Sequence, residues 1–141
     1  MSEPQTDKVE KGEGWSTANL ADLGEGPGFR KIRGALGVTA FGINAIVLPP
    51  AYATGSHFHE EQEELYFVHS GQVAIEFGDG TEQELGPGGM AWVDAPTHRR
   101  LRNLSDSDEA VYVCVGGKDG YVGRDGRLPE GETDPRGPIH G

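Results

Sequence analysis

One cysteine, Cys114, is all the sulfur chemistry a 141-residue chain offers for bridging, so an internal disulfide is excluded and a reducing compartment fits. Basic residues are also scarce: 12 Lys and Arg stand against 23 Asp and Glu, for a formal charge of −11. Nucleic acids and anionic membranes are bound chiefly by Lys and Arg clusters, so neither is expected as a partner. No apolar run is long enough to span a bilayer, since the most apolar stretch, Phe41 to Leu48, is interrupted by Gly42 and Asn44 and halted by Pro49-Pro50. The polar, acidic N-terminus does not resemble a signal peptide, and a cytoplasmic protein is expected. Apolar residues at helical period are missing too, and 23 glycines are spread through the chain. Neither a G-x-S-x-G elbow nor a G-x-x-x-x-G-K-[ST] phosphate loop occurs, which argues against serine hydrolase and nucleotide chemistry.

What is present is a series of short apolar runs separated by turn residues. Strands are predicted near 29–34, 38–48, 56–59, 64–69, 72–77, 82–85, 90–94, 98–103 and 110–115, with breaks at Pro49-Pro50, Ser70-Gly71, Gly78-Asp79-Gly80, Gly86-Pro87-Gly88-Gly89 and Ser105-Asp106-Ser107-Asp108. Many short strands at near-regular spacing describe an all-β sandwich or barrel. Val73, Ile75 and Phe77 alternate and should share the core face. Residues 1–14 carry almost no apolar side chains and read as a disordered lead-in, 15–115 as the packed domain, and 116–141 as a Gly/Pro-rich tail in which Tyr121-Val122 could pin the chain. Trp15 to Leu20 could add an outer strand.

Within this frame His57, Phe58 and His59 form the densest chemical signal. Side chains alternate on a strand, so the two imidazoles project from one face about 6.6 Å apart and can reach one ion. Glu64 would enter from the next strand, Glu64 to His69, and His98 from a distant one. Three imidazoles and a carboxylate suit a divalent transition metal and not calcium, which takes oxygen ligands. Taken alone, His57 and His59 would read equally well as surface histidines. Tyr66, two residues beyond Glu64, shares its inward face, where it could pack in the core or donate a hydrogen bond or proton to substrate. His69 has opposite parity and should point outward. Arg100 has the parity of His98 and is a candidate anchor for an anionic substrate group, and Trp92 is core or pocket wall. Cys114 reads as a small buried hydrophobe, and Glu60 to Glu63 as a solvated loop.

His57-Phe58-His59, four residues, Glu64, six residues and Gly71 resemble the first motif of the cupin superfamily, and the six-residue gap to Gly71 selects Glu64 over Glu63. The motif's opening glycine falls at Ala51. Pro96-Thr97-His98 with Asn103 resembles the second motif, with the Pro-to-His interval shortened and the His-to-Asn interval one residue longer. The resemblance implies a cupin-type double-stranded β-helix, a jelly-roll barrel, holding one iron, manganese, zinc or nickel ion through His57, His59, Glu64 and His98, and a homodimer. It implies an enzyme whose small-molecule substrate chelates the ion, acting as a dioxygenase or a redox-neutral isomerase, decarboxylase or cyclase. A non-catalytic module that binds a small molecule or metal is the alternative.

Overall fold

Alternation in residues 63–70 organises the architecture. In β6 (Glu63–Ser70) Glu64, Tyr66 and Val68 are buried while Glu63, Leu65, Phe67 and His69 are exposed, the period-2 pattern of a strand with one face inward. The computed structural model describes residues 8–123 and 125–128. β6 lies in a five-stranded antiparallel sheet with β3 (Gly28–Arg30), β4 (Gly42–Leu48), β9 (Met90–Val93) and β11 (Ala110–Gly117), in the order β3-β4-β11-β6-β9. A second sheet has the order β10-β7-β8, from β7 (Val73–Phe77), β8 (Glu82–Leu85) and β10 (Arg99–Asn103). The short β5 (Phe58–His59) pairs with β12 (Gly126–Arg127), and single bridges from Ala53 to Arg102 and from His57 to Arg99 join the segment before β5 to β10. β1 (Glu10–Gly12) and β2 (Trp15–Thr17) form a separate hairpin.

The two larger sheets face each other across Ile46, Leu48, Tyr66, Val68, Val73, Ile75, Val93, Leu101, Ala110 and Tyr112, the core of the expected jelly-roll barrel. Each fully buried aliphatic side chain of this kind contributes about 1.5–3 kcal/mol, so this shared apolar layer holds the sheets together. Asn103 ties the end of β10 to its surroundings, with Nδ2 donating to the Asp108 carbonyl at 2.8 Å and the Pro49 carbonyl at 3.1 Å while Oδ1 accepts from the Ser105 N–H at 2.9 Å. Gly71 (φ 82°) turns β6 into β7 in a conformation that favours glycine, and a Cβ there would come within 2.8 Å of Ala110. Ala51, where the resemblance expects glycine, itself adopts φ 60°.

Several boundaries differ from the sequence reading. The strand predicted over 29–34 stops at Arg30, and Ile32–Leu36 forms the helix α1, ended by Gly37 (φ 78°), whose N–H bonds the Arg33 carbonyl at 2.9 Å. The lead-in expected to be disordered contains β1, because Gly14 (φ 83°) supplies a tight turn and the Trp15 ring covers Gly12. Residues 1–7 and 129–141 of the expected tails lie outside the described residues. The tail nevertheless includes the end of β11 and all of β12. Among the described residues no helix is long and apolar enough to cross a membrane.

Candidate metal centre

His57 and His59 reach the interior because the backbone around them is fixed on both sides. His57 exchanges N–H···O bonds of 2.9 Å with Arg99, and the His59 N–H donates to the Ala95 carbonyl at 2.8 Å. Their side chains therefore fall on the inner face, and Phe58 on the outer one. Glu64 arrives from β6 by the alternation already described. The three are 4%, 1% and 7% exposed, so water does not screen their mutual interactions. Their ligating atoms all lie within 4.8 Å of one another, with His59 Nε2 3.1 Å and His57 Nε2 3.8 Å from Glu64 Oε1.

Burial lowers the pKa of His57, against the pull of neighbouring Glu64, and keeps this imidazole neutral with a lone pair to offer. Burial pushes the Glu64 carboxyl upward, but the imidazoles of His57 and His59 and the Tyr66 hydroxyl outweigh it and hold the group well below its ordinary range. Tyr66 donates to Glu64 Oε1 at 2.6 Å, and burial followed by the Glu64 charge raises its phenol well above the usual value. Cys114 on β11, opposite Tyr66, donates its thiol to Glu64 Oε2 at 3.1 Å; burial and then Glu64 raise it strongly. It is thus a hydrogen-bonding wall residue rather than only a small hydrophobe.

Arg99, fully buried, is the residue the sequence reading missed. Its Nη2 lies 3.2 Å from Glu64 Oε1, its Nε donates to the Tyr66 hydroxyl at 3.2 Å, and its Nη1 donates to the carbonyls of Thr97 at 2.5 Å and Ala95 at 3.2 Å. His98, expected as the fourth ligand, is not brought to the site. It stacks on Phe58 on the outer face, ring centroids 4.8 Å apart and 11° from parallel. Arg100 shares that outward parity, opposite Glu76 on β7, and does not enter the pocket in the manner expected. One signal was available: Leu101 is the only apolar residue of β10, so it must face the core, and Arg99 and Asn103 share its side. Trp92 is 62% exposed and donates to Glu63 Oε1 at 2.8 Å, so it is not core; it lines an open surface groove with Phe41 and Leu65, apart from the pocket at His57 and Tyr66.

A second missed residue is Asp125, from the tail. One carboxylate oxygen accepts His59 Nδ1 at 2.7 Å and Gln62 Nε2 at 2.5 Å, and the other accepts the N–H groups of Glu61 at 2.7 Å and Gln62 at 3.0 Å. Burial opposes ionisation, yet the Gln62 side chain, the two N–H groups and His59 together depress this carboxyl far below its ordinary value. Gln62, placed with the solvated loop from sequence, is thereby buried. No single-sequence signal pointed to Asp125.

The site faces a small pocket lined by His57, Glu64 and Tyr66 together with Phe29, Asn44 and Tyr112. Two imidazoles and one carboxylate converging on one point are a donor set that divalent iron and related metals accept, with positions left open. The residues present therefore fit such an ion.

Comparison with known proteins follows the same line. A family model described as "Cupin domain" matches residues 45–116, just over half of the chain, and no curated protein sequence matches. Among solved structures, one of DMSP lyases RdDddP and RnDddQII is similar with TM-score 0.55 and 23% identity over 64% of this chain and 44% of that one. A sugar phosphate isomerase from Silicibacter pomeroyi, of a cupin superfamily, gives TM-score 0.58 and 26% identity over 75% of this chain and 60% of that one. The Thermus thermophilus protein TT1209 gives 0.52 and 26%, over 59% and 75%. The chain spans less than two thirds of the length of the first two. Motif, barrel and family match agree, and the chain belongs to the cupin family.

Proposed function

We propose that the protein is a metal-dependent enzyme whose small organic substrate chelates a divalent transition ion inside the barrel. The observation that carries this reading is the convergence of His57, His59 and Glu64 on one point inside the barrel, beside a pocket lined by polar and aromatic side chains. When bound, iron, manganese, zinc or nickel would supply Lewis acidity, and iron also oxygen chemistry. The chain's own residues supply the rest. Tyr66 stays protonated and fixes the Glu64 carboxylate with its hydroxyl, and it is the group placed to offer a hydrogen bond or proton to a chelated substrate. Asn44 and Tyr112 offer neutral polar contacts. Among the described residues, no Lys or Arg lines the cavity, and Arg99 is committed to Glu64, Tyr66 and two carbonyls. A phosphorylated substrate, as the name of the Silicibacter isomerase suggests for that protein, would lack a cationic anchor here. A non-phosphorylated chelator undergoing dioxygenation or a redox-neutral isomerisation, decarboxylation or cyclisation suits the walls better.

A second reading, a non-catalytic module for a small molecule or metal, draws on the ion pair of Glu64 and Arg99, which neutralises the carboxylate without an ion. A homodimer in a reducing, cytoplasmic setting belongs to the proposal. Exposed Leu65, Phe67, Met90 and Trp92 on the outer face of the five-stranded sheet favour self-association, and Cys114 is a free thiol. Elemental analysis of the untagged parent beside the His57→Ala/His59→Ala double variant tests the central reading. Near-stoichiometric metal in the parent, absent from the variant, is expected, and its identity directs the screen to oxygen uptake or redox-neutral substrates. A parent that is metal-free and refuses added iron, manganese and zinc would leave the binding module.

A further inference from the structure

We infer that Asp125 is a positioning residue for the metal centre: it holds the His59 proton on Nδ1 and so turns the Nε2 lone pair toward the ion. This rests on the metal reading above. The inference follows from counting donors. The two oxygens of Asp125 meet four neighbours, and three of them, the Glu61 N–H, the Gln62 N–H and the Gln62 amide, can only donate in this arrangement. An anionic acceptor saturated by donors leaves no proton for His59 to receive. At 2.7 Å its Nδ1 must therefore be the nitrogen that donates, which leaves Nε2, 3.1 Å from Glu64 Oε1, as the ligating atom.

The carboxylate is held in place by more than its own bonds. β12 pairs Gly126 with His59 and Arg127 with Phe58, the Glu60 N–H donates to the Asp125 carbonyl at 3.3 Å, and Arg127 Nε lies 3.1 Å from Glu60 Oε1. Asp125 itself is 6% exposed. Behind it, Gln62 packs so closely on Gly116 that a Cβ at that position would fall 2.3 Å from Gln62 Oε1. The segment after β11 is in this way built into the histidine side of the site.

Asp125→Asn in the full chain is the decisive variant because it keeps shape and removes one acceptor. An amide has one oxygen, and the two backbone N–H groups claim it; the NH2 then faces the Gln62 amide, which can flip to offer its oxygen, and His59 Nδ1, which must become an acceptor and move its proton to Nε2. Zinc affinity, read by competition with a chromophoric chelator, should fall about 10–100-fold, the usual loss for an outer partner of a ligating histidine. Two-bond 1H–15N correlation spectra of zinc-loaded parent should show His59 protonated at Nδ1. This second readout needs no variant, and a His59 carrying its proton on Nε2 in that spectrum overturns the assignment. So does zinc affinity in Asp125→Asn equal to the parent's when His57→Ala abolishes binding, an outcome that leaves the metal reading standing. A parent that binds no zinc, iron or manganese overturns the metal reading and this inference with it.

Discussion

The segment running into β5 and the one running into β10 meet at the bridge between His57 and Arg99, and each bears a histidine that the motifs mark as a ligand. β5 and the residue before it turn His57 and His59 inward, whereas the residue before β10 turns His98 outward onto Phe58 and leaves Arg99 to fill the interior. The difference is a single residue of register, and on a strand that is enough to exchange every side chain between faces. A neutral donor is thereby replaced by a permanent cation. The carboxylate that would serve only an ion on one side is bonded to a guanidinium on the other. Two imidazoles and a carboxylate then leave more of an ion's positions open than a four-ligand set would.

The comparison is most severely tested at Arg99. Replacing it by Met removes one partner of a buried pair and should cost about 3–5 kcal/mol of stability in urea unfolding. Combining it with Glu64→Gln should recover part of that loss; full independence of the two changes would mean that Arg99 merely fills space. Next, His57→Ala should weaken metal binding by more than about 100-fold, beyond the range of outer partners, in the same chelator competition. pH sharpens the contrast further. The folded pKa of His57 lies below its ordinary 6.5, so below that value the unfolded state binds more protons. Metal-free stability should be flat above about pH 6.5, decline as pH falls through the window below it, and decline again below 4.5 as Glu64 is forced to protonate. Stability that rises on acidification through the first window would place a charged His57 in the folded protein. The smallest effect belongs to His98→Ala: about 0.5–1.5 kcal/mol from the lost ring stacking, with metal content unchanged. Loss of metal in that variant would return His98 to the site.

These residues also show where the sequence was legible. Glu64, Tyr66 and His69 take the sides that alternation assigns them, since β6 is long and its register is anchored at Gly71. β10 misled because the motif was followed across a shortened interval, while its local marker, Leu101, gave the true parity. In Met90-Ala-Trp-Val every residue is apolar, so periodicity could not say that Trp92 faces solvent. The helix at 32–36 is a single turn and a half, too short for a 3.6-residue pattern to register. Asp125 was out of reach altogether, for it meets His59 across 66 residues through the path of the folded chain.

The barrel consequently has two boundaries that do not coincide. Among the described residues the apolar core is complete by the end of β11, and a fragment ending at Gly117 would contain all of its members. The chemistry ends later, at Asp125 and β12. Shortening the protein, fusing another domain there or inserting a sequence after Gly117 should therefore leave a barrel that folds but binds added zinc more weakly than the full chain, and intact secondary structure would be no guarantee of an intact site.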